Sequence, residues 1–204
     1  MSSWVNCTRR SWEFYNDLKA LLPSSSPINM VVSGKQWGLG CNSIHLLDLL
    51  AYLSGTSNDI RIDTSQLDKK ILASKRSGYV EFTGTLNGKL GNNSFKFIST
   101  MDDSESQIRI YNDVFNCIIS ENPPVGHAEI KIKDKNNIYN ELNIQFNVPY
   151  QSRLTNHVVE NILNTGTCSL TQYEESMRLH LPLITAFLDK IRLDLGPTDV
   201  CNIT

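Results

Sequence analysis

His45 has the surroundings that general acid–base chemistry asks for. A histidine in the first turn of a helix feels the positive end of the helix dipole, which lowers its pKa and favours a neutral imidazole able to take a proton. Asn42, His45, Asp48 and Tyr52 fall at i, i+3, i+6 and i+10, and Cys41 sits four before His45, so these polar groups share one narrow stripe. Asp48 can orient the imidazole. The pair is equally an ordinary helix-neighbour pair, and His45 equally a core histidine bonded to Asp48 or to backbone. Cys41 at a helix start can be an activated thiolate or an inert buried thiol. Lys35 and Trp37 lie in the glycine loop Gly34-Lys-Gln-Trp-Gly-Leu-Gly40. There they can bind and stack on a sugar, or be a solvated lysine and a packed tryptophan. Lys69-Lys70 and Ser74-Lys75-Arg76 can meet a phosphate or carboxylate, or form a solvated loop. His127, His157 and His180 have no polar companions at metal spacing, and no His/Asp/Glu cluster spells a metal site.

The helix that must carry the stripe is expected from about Asn42 to Leu53, opened by Asn42 or Ser43 as cap and closed by Ser54-Gly55. Ile44, Leu46, Leu47, Leu49, Leu50, Ala51 and Leu53 cover most of its circumference, the pattern of a helix buried nearly all round. Before it, Trp4 to Cys7 reads as a short strand with no partner before it. Thr8 then caps a helix from Arg9 to Leu22, stopped by Pro-Ser-Ser-Ser-Pro at 23–27. Ile28 to Ser33 is strand-like. The glycine loop is neither G-x-G-x-x-G nor a Walker loop, so it gives no warrant for cradling phosphate.

From Gly78 to Val148 the period changes to two. Residues 79–86, 95–98, 108–111, 114–119, 128–133 and 142–148 alternate apolar and polar. Turn signals at Asn87-Gly88, Gly91-Asn-Asn93, Pro123-Pro124 and Lys135-Asn-Asn137 separate them. Helix returns at Gln151–Asn164 and from Thr171 to about Leu193. The latter has a capping box at Thr171 and Glu174 and a stripe of Tyr173, Met177, Leu181, Ile184, Leu188 and Ile191. The expected class is α+β: a mostly antiparallel open sheet of about five or six strands, helices on one face. Residues 1–26 read as a lead-in strand and helix, and 27–204 as the α+β domain.

With 204 residues, 40% hydrophobic and 20% charged, disordered and fibrous classes are excluded. Nineteen basic against twenty-one acidic residues give a net charge of −2, which argues against a nucleic-acid partner. No apolar run approaches the roughly 18 residues of a membrane span, and the first residues do not read as a signal peptide. A cytoplasmic protein is expected. The five cysteines are odd in number and lack C-x-x-C, so reduced thiols are the default.

The run from Gly34 to Asp48 resembles the second-domain motif of the glucose-fructose oxidoreductase/inositol dehydrogenase/MocA (Gfo/Idh/MocA) family, a glycine loop and then Asp-x-x-x-His-x-x-Asp opening a buried helix. Val5-Asn-Cys-Thr-Arg-Arg10, with Trp12 and Tyr15, is similar to the segment following that family's Glu-Lys-Pro motif. The order of elements extends the resemblance over nearly the whole chain. It implies a C-terminal domain like that of glyceraldehyde-3-phosphate dehydrogenase, serving substrate binding and oligomerisation. It implies His45 as substrate-side acid/base, with Lys35, Trp37, Cys41, Asn42, Asp48 and Arg10 as substrate-binding positions. The family's Asp four before the His is Cys41 here. No cofactor or metal ligand is expected in this chain, since the dinucleotide fingerprint and the Glu-Lys-Pro lysine have no counterpart. NAD(P) is implied for a complete enzyme, bound by a Rossmann domain in cis or trans. The expected function is the substrate-binding half of an NAD(P)-dependent sugar or nucleotide-sugar oxidoreductase, inactive alone and oligomeric through its sheet face. The alternatives are a non-catalytic sugar-binding or scaffold module, and a lyase or isomerase using His45 without nicotinamide.

Overall fold

The computed structural model describes residues 2–23 and 26–203. Of the expected Pro-Ser-Ser-Ser-Pro stop, Ser24 and Ser25 lie outside the described residues. In chain order the elements are β1 (Trp4–Val5), a 3-10 turn (Thr8–Ser11), α1 (Glu13–Leu21), β2 (Asn29–Lys35), α2 (Leu39–Ser54), β3 (Ile60–Leu67), β4 (Leu72–Ala73) and β5 (Val80–Glu81). Then come β6 (Gly84–Leu90), β7 (Asn93–Thr100), β8 (Gln107–Tyr111), β9 (Phe115–Ser120), β10 (Val125–Lys133), β11 (Tyr139–Asn147), α3 (Gln151–Thr165), β12 (Thr171–Gln172) and α4 (Tyr173–Leu195).

The main sheet has eight strands in the order β11-β10-β9-β8-β2-β7-β6-β3. Every neighbouring pair is antiparallel except β2 with β7. The class is the expected α+β, mostly antiparallel, but the sheet is wider than expected for two reasons. Ile28–Ser33 does not stand apart from the meander; β2 wedges between β7 and β8. Residues 60–67, with Ile60, Ile62 and Leu67 on the covered side, add β3 at the edge. The expected strand 79–86 divides into β5 and β6 around Phe82-Thr83. There Gly84, at φ +94°, brings β6 against β3 so closely that a Cβ would lie 2.6 Å from the Gln66 carbonyl oxygen. Asn87-Gly88 is not a turn. Gly88 is inside β6, where a Cβ would meet the Phe95 ring at 2.2 Å, and the chain reverses only at the other expected signal, Gly91-Asn-Asn93.

Helices α1, α2 and α4 pack with one sheet face in a single core. Leu46, Leu47, Leu49, Leu50 and Leu53 of α2 are all buried with Met30, Val32, Phe95 and Phe97 of the sheet, each worth roughly 2 kcal/mol when fully buried. Trp12, Phe14, Tyr15, Leu18 and Leu22 join the same core, with Phe14 stacked on Phe146 at 3.8 Å between centroids. The partner of β1 is not upstream: Trp4 and Val5 pair with Gln172 and Thr171 of β12.

Three helix boundaries move. The segment after Thr8 is a 3-10 turn, and α1 starts only at Glu13 without a side-chain cap, so Arg9 and Arg10 project from a tight turn rather than a helix face. α2 starts at Leu39, its cap being Gly38 at φ +80°, a conformation glycine adopts without strain. Neither Asn42 nor Ser43 caps it, and the Ser43 hydroxyl donates back to the Leu39 carbonyl. Thr171 lies in β12 and forms no capping box, its hydroxyl donating to Asp48 instead. The expected apolar stripe of α4 also faces largely outward. Of the stripe, Tyr173, Leu181 and Ile184 are exposed, Met177 and Leu188 half-buried and Ile191 buried, whereas Ser176, Leu179, Leu183, Phe187 and Lys190 from outside it are buried, Phe187 stacking on Phe82 at 4.7 Å.

Candidate functional site

The first two turns of α2 and the loop before it form one side of a cavity of about 620 Å³, lined by Trp37, Cys41, Asn42 and His45. The β4–β5 hairpin supplies Ser74, Lys75, Arg76 and Glu81 to the same cavity. Trp37 is fixed there: its indole N–H donates to the Ile98 carbonyl at 2.7 Å, its own carbonyl accepts from the Asn42 amide at 2.7 Å, and its ring meets Phe97 edge-on. The Cys41 thiol points back to the Gly38 carbonyl at 3.4 Å.

His45 is half-buried and has no hydrogen-bond partner among the described residues. Its pKa is lowered below 6.5, first by burial and then by the charges of Arg9 and His180. Because α2 begins at Leu39, His45 lies in the second turn, and these neighbours take over the role expected of the helix dipole. Arg9 is itself held by Glu121, with contacts of 2.6–3.1 Å. The Tyr15 hydroxyl also donates to Glu121, and burial raises that phenol's pKa. A neutral imidazole with free ring nitrogens, facing a cavity, can accept a proton from a hydroxyl or return one.

The remaining expected site residues lie elsewhere. Asp48 and Arg10 do not line this cavity. The Arg10 guanidinium donates to both Asp48 oxygens, at 3.0 and 3.1 Å, and the Thr171 hydroxyl donates to one of them. Burial pushes the Asp48 carboxyl up, against the pull of Arg10 and Thr171. These groups tie α2 to the 3-10 turn and β12, and do not orient His45. Lys35, at the end of β2, pairs with Asp103 outside the cavity.

Glu81 is a charged cavity residue that the sequence did not reveal. Its carboxylate accepts the Gly40 and Phe82 N–H groups, so a strand from across the fold caps the start of α2. A Cβ on Gly40 would lie 2.7 Å from that carboxylate. In sequence Glu81 is one polar position in an alternating run, and only tertiary placement brings it to the helix. Among the described residues no group of three or more His, Cys, Asp or Glu side chains could hold a metal, and no helix is long and apolar enough to cross a membrane.

No protein-family model matches the sequence, and no curated protein matches it. Solved structures do match in fold. A chain described as an NADPH-dependent oxidoreductase from Desulfitobacterium hafniense superposes with a TM-score of 0.60 at 14% identity, over 94% of this chain and 62% of that one. UDP-N-acetylglucosamine 3-dehydrogenase GnnA from Acidithiobacillus ferrooxidans gives 0.60 at 10% identity, over 93% and 60%. A super-repressor mutant of Gal80p from Saccharomyces cerevisiae gives 0.57 at 12% identity, over 98% and 67%. The fold is therefore that of the C-terminal domain of Gfo/Idh/MocA-type oxidoreductases. This chain spans about 60–67% of the length of the solved chains.

Proposed function

We propose that this chain is the substrate-binding part of an NAD(P)-dependent oxidoreductase acting on a CH–OH group of a sugar or nucleotide sugar, with His45 as acid/base. The observation that carries the reading is the imidazole of His45 facing the cavity with no hydrogen-bond partner among the described residues, its pKa lowered first by burial. Trp37, Cys41 and Asn42 are the sugar-contacting neighbours, and Lys35, Arg10 and Asp48 act at most by holding the surrounding elements. Cys41 stands where the family carries a carboxylate, so the proton taken by His45 has no acid four residues before it to pass to.

The glycine loop of this chain does not fit a dinucleotide: the start of α2, the helix that β2 leads into, is capped by the Glu81 carboxylate, which would repel a pyrophosphate there. NAD(P) is assigned to a Rossmann domain in cis or trans, in keeping with the oxidoreductases that share the fold. A homo-oligomer through the helix-free sheet face, where Val31, Ile98 and Ile118 are half-buried, and a cytoplasmic location belong to the same reading. The second reading is a non-catalytic binding module. It is favoured by Cys41 and by the likeness in fold to the super-repressor mutant of Gal80p.

The test is nuclear magnetic resonance of the His45 ring during titration with sugars and nucleotide sugars, alongside nicotinamide fluorescence with NADH. The expected result is a ligand-dependent shift of the ring and no micromolar NADH binding by the chain alone. Micromolar NADH binding, or a ring that no sugar moves, overturns the reading.

A further inference from the structure

The hairpin wall of the cavity has a charge imbalance that the acid/base reading leaves unused. Residues 68–83 contain four basic side chains, Lys69, Lys70, Lys75 and Arg76, against two acidic ones, Asp68 and Glu81. Both acids are engaged: Asp68 accepts the Thr83 hydroxyl at 2.7 Å, and Glu81 accepts backbone N–H groups. The Lys75 and Arg76 side chains line the cavity and have no ion pair or hydrogen bond among the described residues. Elsewhere Arg9, Arg10, Lys35, Lys131 and Lys190 each lie against a carboxylate. In a chain of net charge −2, this rim is a local concentration of uncompensated positive charge.

The hairpin is also held in place. Ser74 N–H donates to the Tyr79 carbonyl at 2.9 Å, Tyr79 N–H to the Arg76 carbonyl at 3.2 Å, and Val80 N–H to the Asn202 carbonyl at 2.7 Å. The other seat for an anion, the start of α2, is excluded by the Glu81 carboxylate, since two like charges at one helix terminus disfavour each other. Within this cavity an anion has one place to go.

We propose that the substrate carries a phosphoryl group, gripped by Lys75 and Arg76 with the Ser74 hydroxyl beside them, while its sugar faces His45. This rests on the sugar-site reading above and adds the substrate class. A guanidinium matches phosphate oxygens in a planar fork, an ammonium supplies a point charge, and a hydroxyl donates once more. Sugar phosphates and nucleotide sugars share this chemistry.

The test follows backbone amide signals of the full chain by nuclear magnetic resonance during titration with methyl phosphate, uridine diphosphate, acetate and neutral sugars. Phosphate probes are expected to move Ser74–Ser77 selectively, the diphosphate more strongly than the monoester. K75A/R76A is expected to weaken binding about tenfold, as loss of charge-assisted contacts at an open site does. K96A, on the helix-free sheet face, is expected to leave it unchanged. Binding unaffected by K75A/R76A, acetate binding as tightly as methyl phosphate, or no phosphate binding at all overturns the proposal. A neutral sugar that moves the His45 ring while phosphates leave 74–77 unmoved refutes the phosphoryl grip but keeps the sugar site. Phosphates moving 74–77 with no sugar moving His45 support the grip and refute the sugar site.

Discussion

Replacing Asp48 by alanine removes the acceptor at the centre of the most buried ion pair among the described residues. Asp48 is 1% exposed and Arg10 8%, and the guanidinium meets both carboxylate oxygens. Breaking such a pair costs about 3–5 kcal/mol, because the remaining charge is left unpaired away from water. Arg10 keeps Glu175 at 3.4 Å, a partly exposed partner, so the lower end, about 3 kcal/mol, is expected. For a domain of this size that corresponds to a fall in Tm of roughly 6–12 °C. Urea unfolding at neutral pH should show a lower midpoint with an unchanged slope. The double variant R10M/D48L should recover most of the loss, since well-packed apolar replacements of a buried pair are often neutral. A D48A cost below about 1 kcal/mol, far under the range for a broken buried pair, would refute the assignment of Asp48 and Arg10 to structure. So would a double variant no more stable than D48A.

His45 should titrate below 6.5, because burial, Arg9 and His180 lower its folded pKa. Between the folded value and 6.5 the unfolded chain binds more protons, so stability is complete above that window and falls as pH drops through it. H45N should flatten this loss when urea midpoints are compared across it, and an equal pH dependence in both proteins would contradict the shift. Burial pushes the Cys7 and Cys117 thiols up to about 12. In the native chain they should stay unlabelled by iodoacetamide while Cys168 reacts, becoming reactive only in denaturant; early labelling of Cys117 would count against the packing of β9 under the helices. Gly126→Ala should cost about 1–3 kcal/mol by overpacking, because a Cβ there would lie 2.3 Å from the Phe146 ring. A neutral result in thermal unfolding would show that Phe146 is free to leave its stack on Phe14.

What could be read from the sequence was whatever depends on local period. The buried length of α2, the Gly55 stop, α3 from Gln151 and the β7–β11 alternation follow from side chains within a few residues of one another. What failed depends on pairing between distant segments. No local pattern says that β2 runs parallel to β7, or that residues 60–67 form an edge strand. On α4, two apolar stripes were available, and the one containing Phe187 was buried because Phe82 and the α2 leucines are shaped to meet it. Capping failed for the same reason. Thr171 and Ser43 are good cap residues by type, but Asp48 and the Leu39 carbonyl took their hydroxyls, and Gly38 with Glu81 opened α2 instead.

The stripe on α2 shows where such reasoning stops inside the site itself. Cys41, His45, Asp48 and Tyr52 do share an arc of about 60° on the helix at 3.6 residues per turn, while Asn42, counted with them in the sequence, stands about a further 60° round from His45. They do not share surroundings, because each residue also climbs about 1.5 Å along the axis. Over the first two turns the stripe faces the cavity. One turn on, Arg10 closes over Asp48, and its guanidinium lies 5.3 Å from the centre of the Tyr52 ring. Lys19 sits 3.9 Å above that ring. The stripe is thus divided by one ion pair into a cavity end with an unpartnered imidazole and an end that anchors the helix. A carboxylate and a histidine three residues apart can look like a catalytic pair while facing different neighbours.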